Sequence, residues 1–201
     1  MISIGITTQD DRRYGLVSTF ARRVYASKLN AETPANPDLF VYGSECGDVI
    51  GCMGLYKAAT RDTLLIETYR SRLFEEISGL SPVERHLCAE IGTWAIPLDR
   101  ARCGMRLSIA LTAELIMHAH RTGIRYLGFT TTPTVRVITK ALGLELIHAG
   151  DPDLSTKDEV FLRNWREFFA DNRSCFGFHI KAIGGCIRAI EKFAQREEMA
   201  S

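Results

Sequence analysis

The segment 86–131 constrains the fold of this chain more than any other part of the sequence. Residues His86–Ile96 form an apolar run that predicts a buried central strand. Gly104 then precedes a predicted helix over Met105–Arg121, and Arg125–Thr131 predicts the next strand. Because a helical crossover brings the chain back in the same direction, this unit predicts two parallel strands.

An antiparallel hairpin is predicted before this unit. Leu39–Tyr42 and Val49–Tyr56 are apolar runs on either side of the turn Glu45–Asp48, where a glycine supplies a backbone angle that other residues avoid. The hairpin and the parallel unit together predict a mixed sheet.

The rest of the chain alternates between helical and extended patterns. Further helices are predicted over Arg12–Leu29, Tyr69–Ile77, Pro133–Leu142, Val160–Phe169 and Gly184–Met199. Further strands are predicted over Ile2–Ile6, Leu144–Ala149 and Cys175–Ile183, and Leu64–Ile66 is either a short strand or an extended loop. The fold class is therefore α/β (α+β), a mixed, mostly antiparallel sheet flanked by helices. We expect a core over 1–150 and a C-terminal helical extension over 151–201 that completes the same domain.

Composition excludes several classes of function. Lys and Arg total 25 against 24 for Asp and Glu, which gives a formal net charge of +1. This balance provides no positive field for a polyanion, so nucleic acid is not expected as a partner. No apolar run has membrane-spanning length and the N-terminus lacks a secretion signal, so we expect a cytoplasmic protein without a membrane span.

The cysteines and histidines predict no metal site. The six cysteines are Cys46, Cys52, Cys88, Cys103, Cys175 and Cys186. They form no CxxC pair, and no histidine lies at metal-ligand spacing from them. Most lie in apolar runs, which is typical of reduced, buried thiols.

The start of the long helix is a candidate phosphate site. A helix N-terminus offers unpaired N–H groups and the positive end of the helix dipole. Arg100, Arg102 and Arg106 flank this helix start, and Gly104 and Met105 open it. A glycine there lets the backbone approach an anion closely. The alternative is an ordinary arginine-rich loop.

Glu90 is the candidate general base. It lies between apolar neighbours inside the predicted central strand. Burial disfavours a charged carboxylate, so the pKa of Glu90 should rise toward neutrality, as a base for an amine requires. The alternative is a carboxylate on the solvent face of the strand or paired with an arginine.

Four more residues are candidates for ligand contacts. Glu67 and Tyr69 form an acidic and phenolic pair that would hold a cationic acceptor, or else cap and pack a helix start. Thr130 and Thr131 follow a predicted strand, and ligands in open α/β sheets gather beyond the carboxyl ends of strands. Their hydroxyl groups would bond a ligand or cap the helix that follows.

Several segments together resemble a known family. They are Leu39–Gly43, Val49–Leu55, Leu65–Tyr69, Glu90–Ala95, Phe129–Thr131 and Trp165–Phe169, followed by Gly177. In order and spacing they resemble the thermostable hemolysin family, whose members look GNAT-like. The chain is similar, more broadly, to GNAT acyltransferases, which include the acyl-homoserine-lactone synthases.

This resemblance implies a fold and a reaction. The sheet would be GNAT-like and opened by a splay of its central strand. The donor would be a pantetheine thioester, either acyl-CoA or an acyl carrier protein, with its phosphates at Arg102–Leu107. Glu90 would deprotonate the amine of a small acceptor, and backbone N–H groups at Gly92, Thr93 and Trp94 would stabilise the oxyanion. Trp94 and Tyr69 would line the acyl or acceptor pocket.

Two alternatives remain open at the level of sequence. An autoinducer-type synthase that makes a lactone would need a site for a large cationic acceptor, to which Glu67 would contribute. A non-catalytic GNAT-fold binding protein is favoured by two departures. Ala101 stands where the class usually has Arg or Gln, and no tyrosine occurs between Thr134 and Gly143.

The apolar stripe of the predicted helix Gly184–Met199 packs on the rest of the domain or, as a second interpretation, forms the interface of a homodimer.

Overall fold

The computed structural model describes residues 1–29, 36–96, 104–131, 133–155, 157–170, 173–181 and 183–199. Seven strands form a single sheet in the order β1-β2-β3-β4-β5-β7-β6. The strands are β1 Ile2–Thr8, β2 Leu39–Glu45, β3 Asp48–Lys57, β4 Cys88–Ala95, β5 Tyr126–Thr131, β6 Ile147–Gly150 and β7 Ser174–His179. The helices are α1 Arg12–Leu29, α2 Leu73–Ser78, α3 Gly104–Arg121, α4 Pro133–Ala141, α5 Glu159–Ala170 and α6 Gly184–Met199. This architecture confirms the predicted fold class.

The predicted hairpin forms between β2 and β3. Glu45 and Asp48 are paired across a two-residue turn, and both turn residues have left-handed backbone angles, with φ 50 at Cys46 and φ 91 at Gly47. Two successive left-handed residues match the twist of an antiparallel pair. Gly47 meets this requirement without a steric penalty.

Among the described strands, β4 and β5 form the one parallel pair, and these two strands separate partway along their length. β4 and β5 run in the same direction, as the strand–helix–strand pattern predicts. Their pairing covers Cys88–Glu90 against Tyr126–Gly128 and stops, although β4 continues to Ala95 and β5 to Thr131. The carboxyl halves of the two strands therefore diverge, and Glu90 lies at the point where the gap opens.

The strand nearest the end of the chain lies inside the sheet. β7 pairs antiparallel with β5 on one side and with β6 on the other. It comes from the predicted extension 151–201, which therefore supplies an interior strand. The division of the chain at residue 150 stays a prediction.

Helices cover both faces of the sheet, and the buried side chains form three clusters, one on the first face and two on the other. The α3–α6 face contains α3, α4 and α6, which pack with Ala89, Ile91 and Leu127 in one apolar core. The opposite face holds α2 with Cys88 and Tyr126 in a second core, and α1 packs further along that face. Because side chains alternate along a strand, each candidate site residue on a strand lies on one of the two faces of the sheet.

The prediction for Leu64–Ile66 is wrong. This segment is neither a strand nor an extended loop, because Leu65 is helical and a 3-10 turn follows over Ile66–Thr68. The Glu67 carboxylate accepts the Leu64 N–H at 2.8 Å, which favours the tight turn over an extended chain.

Some boundaries also differ from the predictions. The helix predicted from Tyr69 begins at Leu73 and ends before Gly79, which has φ 71. The last strand ends at His179 rather than at Ile183. The strand predicted over Leu144–Ala149 begins at Ile147.

Candidate functional site

The site is built around Glu90, where β4 leaves β5. The side chain is buried, with 5% exposure, and its Oε2 accepts the Ile66 N–H at 3.1 Å. Burial raises the pKa of Glu90 to about 8, and the hydrogen bond from Ile66 offsets part of this rise. A carboxyl group with such a pKa exchanges protons near neutral pH, which fits a general base for an amine.

Two glycines bring a helix directly against the sheet beside Glu90. Gly128 is the β5 partner of Glu90, and Gly177 is the β7 partner of Gly128, so the three share one face. A Cβ atom at Gly177 would lie 1.8 Å from Ile77 Cδ1, and one at Gly128 would lie 2.5 Å from Leu73 Cδ2. α2 occupies the space that two side chains would otherwise fill, and it helps to keep water from the carboxyl group.

Tyr69 lies in the same buried cluster as the β4–β5 contact. Its side chain is 4% exposed and hydrogen-bonds the side chain of Thr130. Burial, reinforced by the nearby Glu90, raises the pKa of Tyr69 well above its usual value, so the phenol keeps its proton. Cys175 is also buried here, and burial raises its pKa to about 12. The site therefore combines a carboxyl group that can accept a proton with a phenol that keeps its own.

Thr131 does not join this group. It is the last residue of β5, is buried and pairs in register with Ser174. Its side chain points to the face opposite Thr130, because neighbouring residues in a strand alternate. Of the two predicted threonines, the structure brings only Thr130 next to Tyr69.

β4 carries a bulge between Gly92 and Ala95, a short distance beyond Glu90. The β3–β4 register contains one extra β4 residue between the pairs Gly54–Gly92 and Cys52–Ala95. Thr93 has φ 49, a left-handed angle that is costly for a β-branched residue. Strain of this kind is retained where the surroundings enforce it and is common at functional sites.

Two buried tyrosines hold the bulge in place. The Tyr25 hydroxyl accepts the Trp94 N–H at 3.1 Å, and the Tyr56 hydroxyl is hydrogen-bonded to Thr93 Oγ1. Burial raises the pKa of both tyrosines, so both stay protonated. The Trp94 amide already has an acceptor, and an oxyanion role for Gly92, Thr93 and Trp94 stays a prediction. Trp94 itself is partly buried on the α3–α6 face.

Glu67 is part of a network that fixes the loop above Glu90. Its carboxylate forms a two-point ion pair with Arg85, at 2.9 Å and 3.1 Å. Arg85 also donates to the carbonyl oxygens of Ala58 and Arg61. These contacts give Glu67 a positioning role, because they hold the turn whose Ile66 N–H reaches Glu90. Its predicted contact with an acceptor remains untested.

The predicted phosphate site is described in part. α3 begins at Gly104, which is buried, while Met105 is 42% exposed and Arg106 is exposed. Leu107 seats this first turn against β2, since a Cβ atom at Gly43 would lie 2.6 Å from Leu107 Cδ1. The side chains of Met105 and Arg106 are therefore open to solvent at the helix start, and an anion bound there stays a prediction. Arg100 and Arg102 lie outside the described residues.

Sequence reasoning missed Tyr25, Tyr56 and Arg85. Tyr25 comes from α1, and Tyr56 is the β3 partner of Glu90 in the register. Only the pairing of β3 with β4 reveals the position of Tyr56, so no local pattern would have found it. Arg85 lies in a short polar segment whose partners are distant in sequence.

Neither a metal cluster nor a membrane helix is found in the described ranges. No three His, Cys, Asp or Glu side chains there could share a metal ion. No helix among the described residues is both long enough and apolar enough to cross a membrane. The five cysteines that the structure describes are free thiols.

Solved structures with the same architecture are known. The acyl-homoserine-lactone synthase LasI gives a TM-score of 0.60 at 13% identity, with 90% of each chain covered. The CoA-dependent synthase BjaI, solved with SAM and isopentyl-CoA, gives 0.59 at 15% identity, covering 100% of this chain and 92% of BjaI. An acetyltransferase of the GNAT family from Staphylococcus aureus gives 0.51 at 12% identity, covering 89% of this chain and 100% of that one. A search of curated proteins finds no matching sequence.

The sheet order, the β4–β5 gap and these likenesses define a GNAT-like fold. The family model for thermostable hemolysin matches residues 7–181. The chain belongs to the thermostable hemolysin family, which confirms the resemblance seen in its motifs.

Proposed function

We propose that this protein transfers an acyl group from a thioester donor to the amine of a small acceptor. The observation that carries the proposal is the buried Glu90, whose pKa is raised to about 8 at the gap between β4 and β5. A carboxyl group whose pKa is raised toward neutral pH is typical of functional sites. Such a group can remove a proton from an ammonium group at neutral pH.

The chemical step follows from this arrangement. Glu90, in its charged form, takes a proton from the acceptor ammonium directly or through one water. The amine nitrogen then attacks the thioester carbonyl, forming a C–N bond and moving an electron pair onto the oxygen. When the tetrahedral intermediate collapses, the C=O bond re-forms and the C–S bond breaks. The thiolate leaves and takes up the proton that the former amine nitrogen loses as it becomes an amide. The products are an amide and a thiol.

The two sides of the sheet suggest where each substrate binds. Glu90, Tyr69 and Thr130 belong to the α2 face, so we place the acceptor there. The exposed first turn of α3 lies on the α3–α6 face, so we place the donor phosphates at Met105 and Arg106. The thioester would reach Glu90 through the gap between β4 and β5.

The autoinducer-type synthase remains the second candidate. LasI and BjaI are described as acyl-homoserine-lactone synthases, and BjaI was solved with SAM and isopentyl-CoA. At 13% and 15% identity they show a shared fold, and the choice of acceptor must be decided by experiment.

A thiol-release assay tests the proposed function. Purified protein is incubated with acyl-CoAs or acylated carrier protein, alone and with pooled amines and amino acids, and the products are analysed by mass spectrometry. We expect thiol release that requires both donor and acceptor, with an amide as product. A lactone product would identify the synthase alternative. A folded protein that releases no thiol with any donor would contradict the proposal and favour a binding protein.

Tyr69→Phe tests the phenol in the acceptor pocket. The variant removes the hydroxyl that bonds Thr130 and lies near Glu90, while the buried ring stays. We expect kcat/KM for the acceptor to fall by about tenfold, as for the loss of one buried hydrogen bond in a site. Tyr126→Phe is the matched control, because Tyr126 lies in the same buried cluster. Unchanged kinetics for Tyr69→Phe, or equal losses in both variants, would contradict the role.

A further inference from the structure

A groove of about 380 Å³ lies on the α3–α6 face, on the opposite side of the sheet from Glu90. The first two turns of α3, the end of α4 and the length of α6 line it. Its cationic lining residues are Arg106, Lys140, Arg188, Lys192 and Arg196. Within the described ranges, none of these five side chains forms an ion pair. The protein as a whole has a net charge of only +1, so this concentration of positive charge is local.

The groove also has an apolar floor. Leu142, a buried core residue of the α3–α6 face, lines it, as do the partly buried side chains Ile109 and Phe193 that pack against that core. The acidic lining residue, Glu197, accepts the Ile2 N–H at 2.7 Å and is therefore engaged within the protein. An occupant must combine an apolar surface with negative charge.

The spacing of the cations indicates the shape of that occupant. Arg188, Lys192 and Arg196 recur every four residues along α6, so they form a row with steps of about 6 Å and a length of about 12 Å. A single phosphate or carboxylate cannot contact a row of this length. Acidic residues at positions i, i+4 and i+8 of a helix have the same spacing, and the apolar side of such a helix would meet Phe193 and Leu142.

The groove is continuous with the candidate donor site. Arg106 lines the groove and also belongs to the first turn of α3, where we place the donor phosphates. A protein docked in the groove would therefore sit beside the donor entrance, while the acceptor pocket stays free on the α2 face. This placement favours the donor over the acceptor as the source of the helix.

We infer that this groove docks an acidic amphipathic helix of a carrier protein that delivers the acyl thioester on a pantetheine arm. The inference rests on the proposed function, because it names the donor class for the same site. Opposite charges along the groove would orient the carrier, and the apolar floor would hold it.

Direct binding tests the inference without any need for turnover. The probe is fluorescently labelled octanoyl acyl carrier protein, and the dissociation constant is measured by anisotropy. Arg188→Glu combined with Lys192→Glu should weaken binding by at least about tenfold, since two attractive contacts become repulsive. Arg163→Glu combined with Lys181→Glu is the matched control, because both residues are exposed cations outside the groove. The control should bind within about twofold of the unmodified protein.

Three outcomes of these binding measurements would overturn the docking inference. Absence of carrier binding by the unmodified protein, or equal binding by the groove variant and the control, would overturn the inference. A dimer of this chain that the groove variant dissociates would also overturn it, in favour of a second copy as the occupant. Circular dichroism of all variants, together with a neutral Arg188→Gln and Lys192→Gln variant that should give an intermediate loss, excludes misfolding as the cause.

The two proposals fail differently. Transfer from acyl-CoA without any carrier binding would leave the proposed function standing and overturn the docking inference. If the carrier binds in a charge-sensitive way but no donor supports transfer, the docking inference stands and the proposed function is contradicted.

Discussion

Glu90→Gln should reduce turnover by about three orders of magnitude while the protein stays folded. The amide keeps an oxygen that can accept the Ile66 N–H, but it cannot take a proton from the acceptor. In the unmodified protein, the rate should rise with pH and level off above about 8, because the charged form of Glu90 is the base. The variant should lose this pH dependence along with its activity.

The same substitution should stabilise the protein at alkaline pH. The pKa of Glu90 rises from an ordinary value of 4.5 to about 8 on folding, so the folded state holds its proton more tightly than the unfolded state. The contribution of Glu90 to stability is therefore complete below pH 4.5 and is lost as the pH rises through 8. Glu90→Gln has no such proton, and at pH 9 its free energy of unfolding should exceed that of the parent by on the order of 5 kcal/mol.

Urea unfolding at pH 5 and pH 9, alongside steady-state kinetics, checks both effects. The two proteins should differ little at pH 5 and clearly at pH 9. Glu67→Gln is a useful comparison, because it removes a carboxylate that is paired with Arg85 and should not raise stability at pH 9. Full activity in Glu90→Gln would contradict the role of Glu90 as general base. A variant and a parent that are equally stable at pH 5 and at pH 9 would contradict the raised pKa of Glu90.

Gly177→Ala should cause the largest loss of stability among these substitutions. The new Cβ atom would lie 1.8 Å from Ile77 Cδ1 and 2.8 Å from the Leu127 carbonyl oxygen. The end of the Ile77 side chain can turn away, but the Leu127 oxygen belongs to the backbone of β5 and cannot shift without disturbing the pairing of β5 with β7. We expect the free energy of unfolding to fall by about 3 kcal/mol, as for severe overpacking of a core.

Gly15→Ala is the matched control for this substitution. Gly15 lies in α1, and a Cβ atom there would meet nothing within 4 Å. Alanine favours a helix over glycine, so this variant should gain about 0.5 to 1 kcal/mol. Thermal unfolding of both variants tests the comparison. A Gly177→Ala protein as stable as the parent would show that α2 does not press against the sheet beside Glu90.

The elements that local patterns specify were predictable from sequence. Gly47 at the hairpin turn and the strand–helix–strand spacing around α3 each have a local physical cause, and the structure confirms both. Glu90 was identifiable because a carboxylate inside an apolar run must be unusual in its environment.

The parts that depend on long-range contacts were not predictable. The turn at Ile66–Thr68 is held by Glu67 and by Glu90, which lies 24 residues away from Ile66. Tyr25 meets Trp94 across 69 residues of sequence, and that contact exists only after α1 has packed on the sheet. No window of local sequence contains this information, so the bulge and its two tyrosines appear only in three dimensions.

The position of β7 has a consequence for how the protein is made. Synthesis produces β4, β5 and β6 before Ser174–His179, yet among the described strands β6 is bonded to β7 alone. Gly177, which seats α2 beside Glu90, also belongs to this late strand. A nascent chain that already contains Glu90, Tyr69 and Thr130 but not β7 would therefore lack the glycine against which α2 packs. The order of the strands therefore makes the buried surroundings of Glu90 depend on a segment that is synthesised well after Glu90 itself.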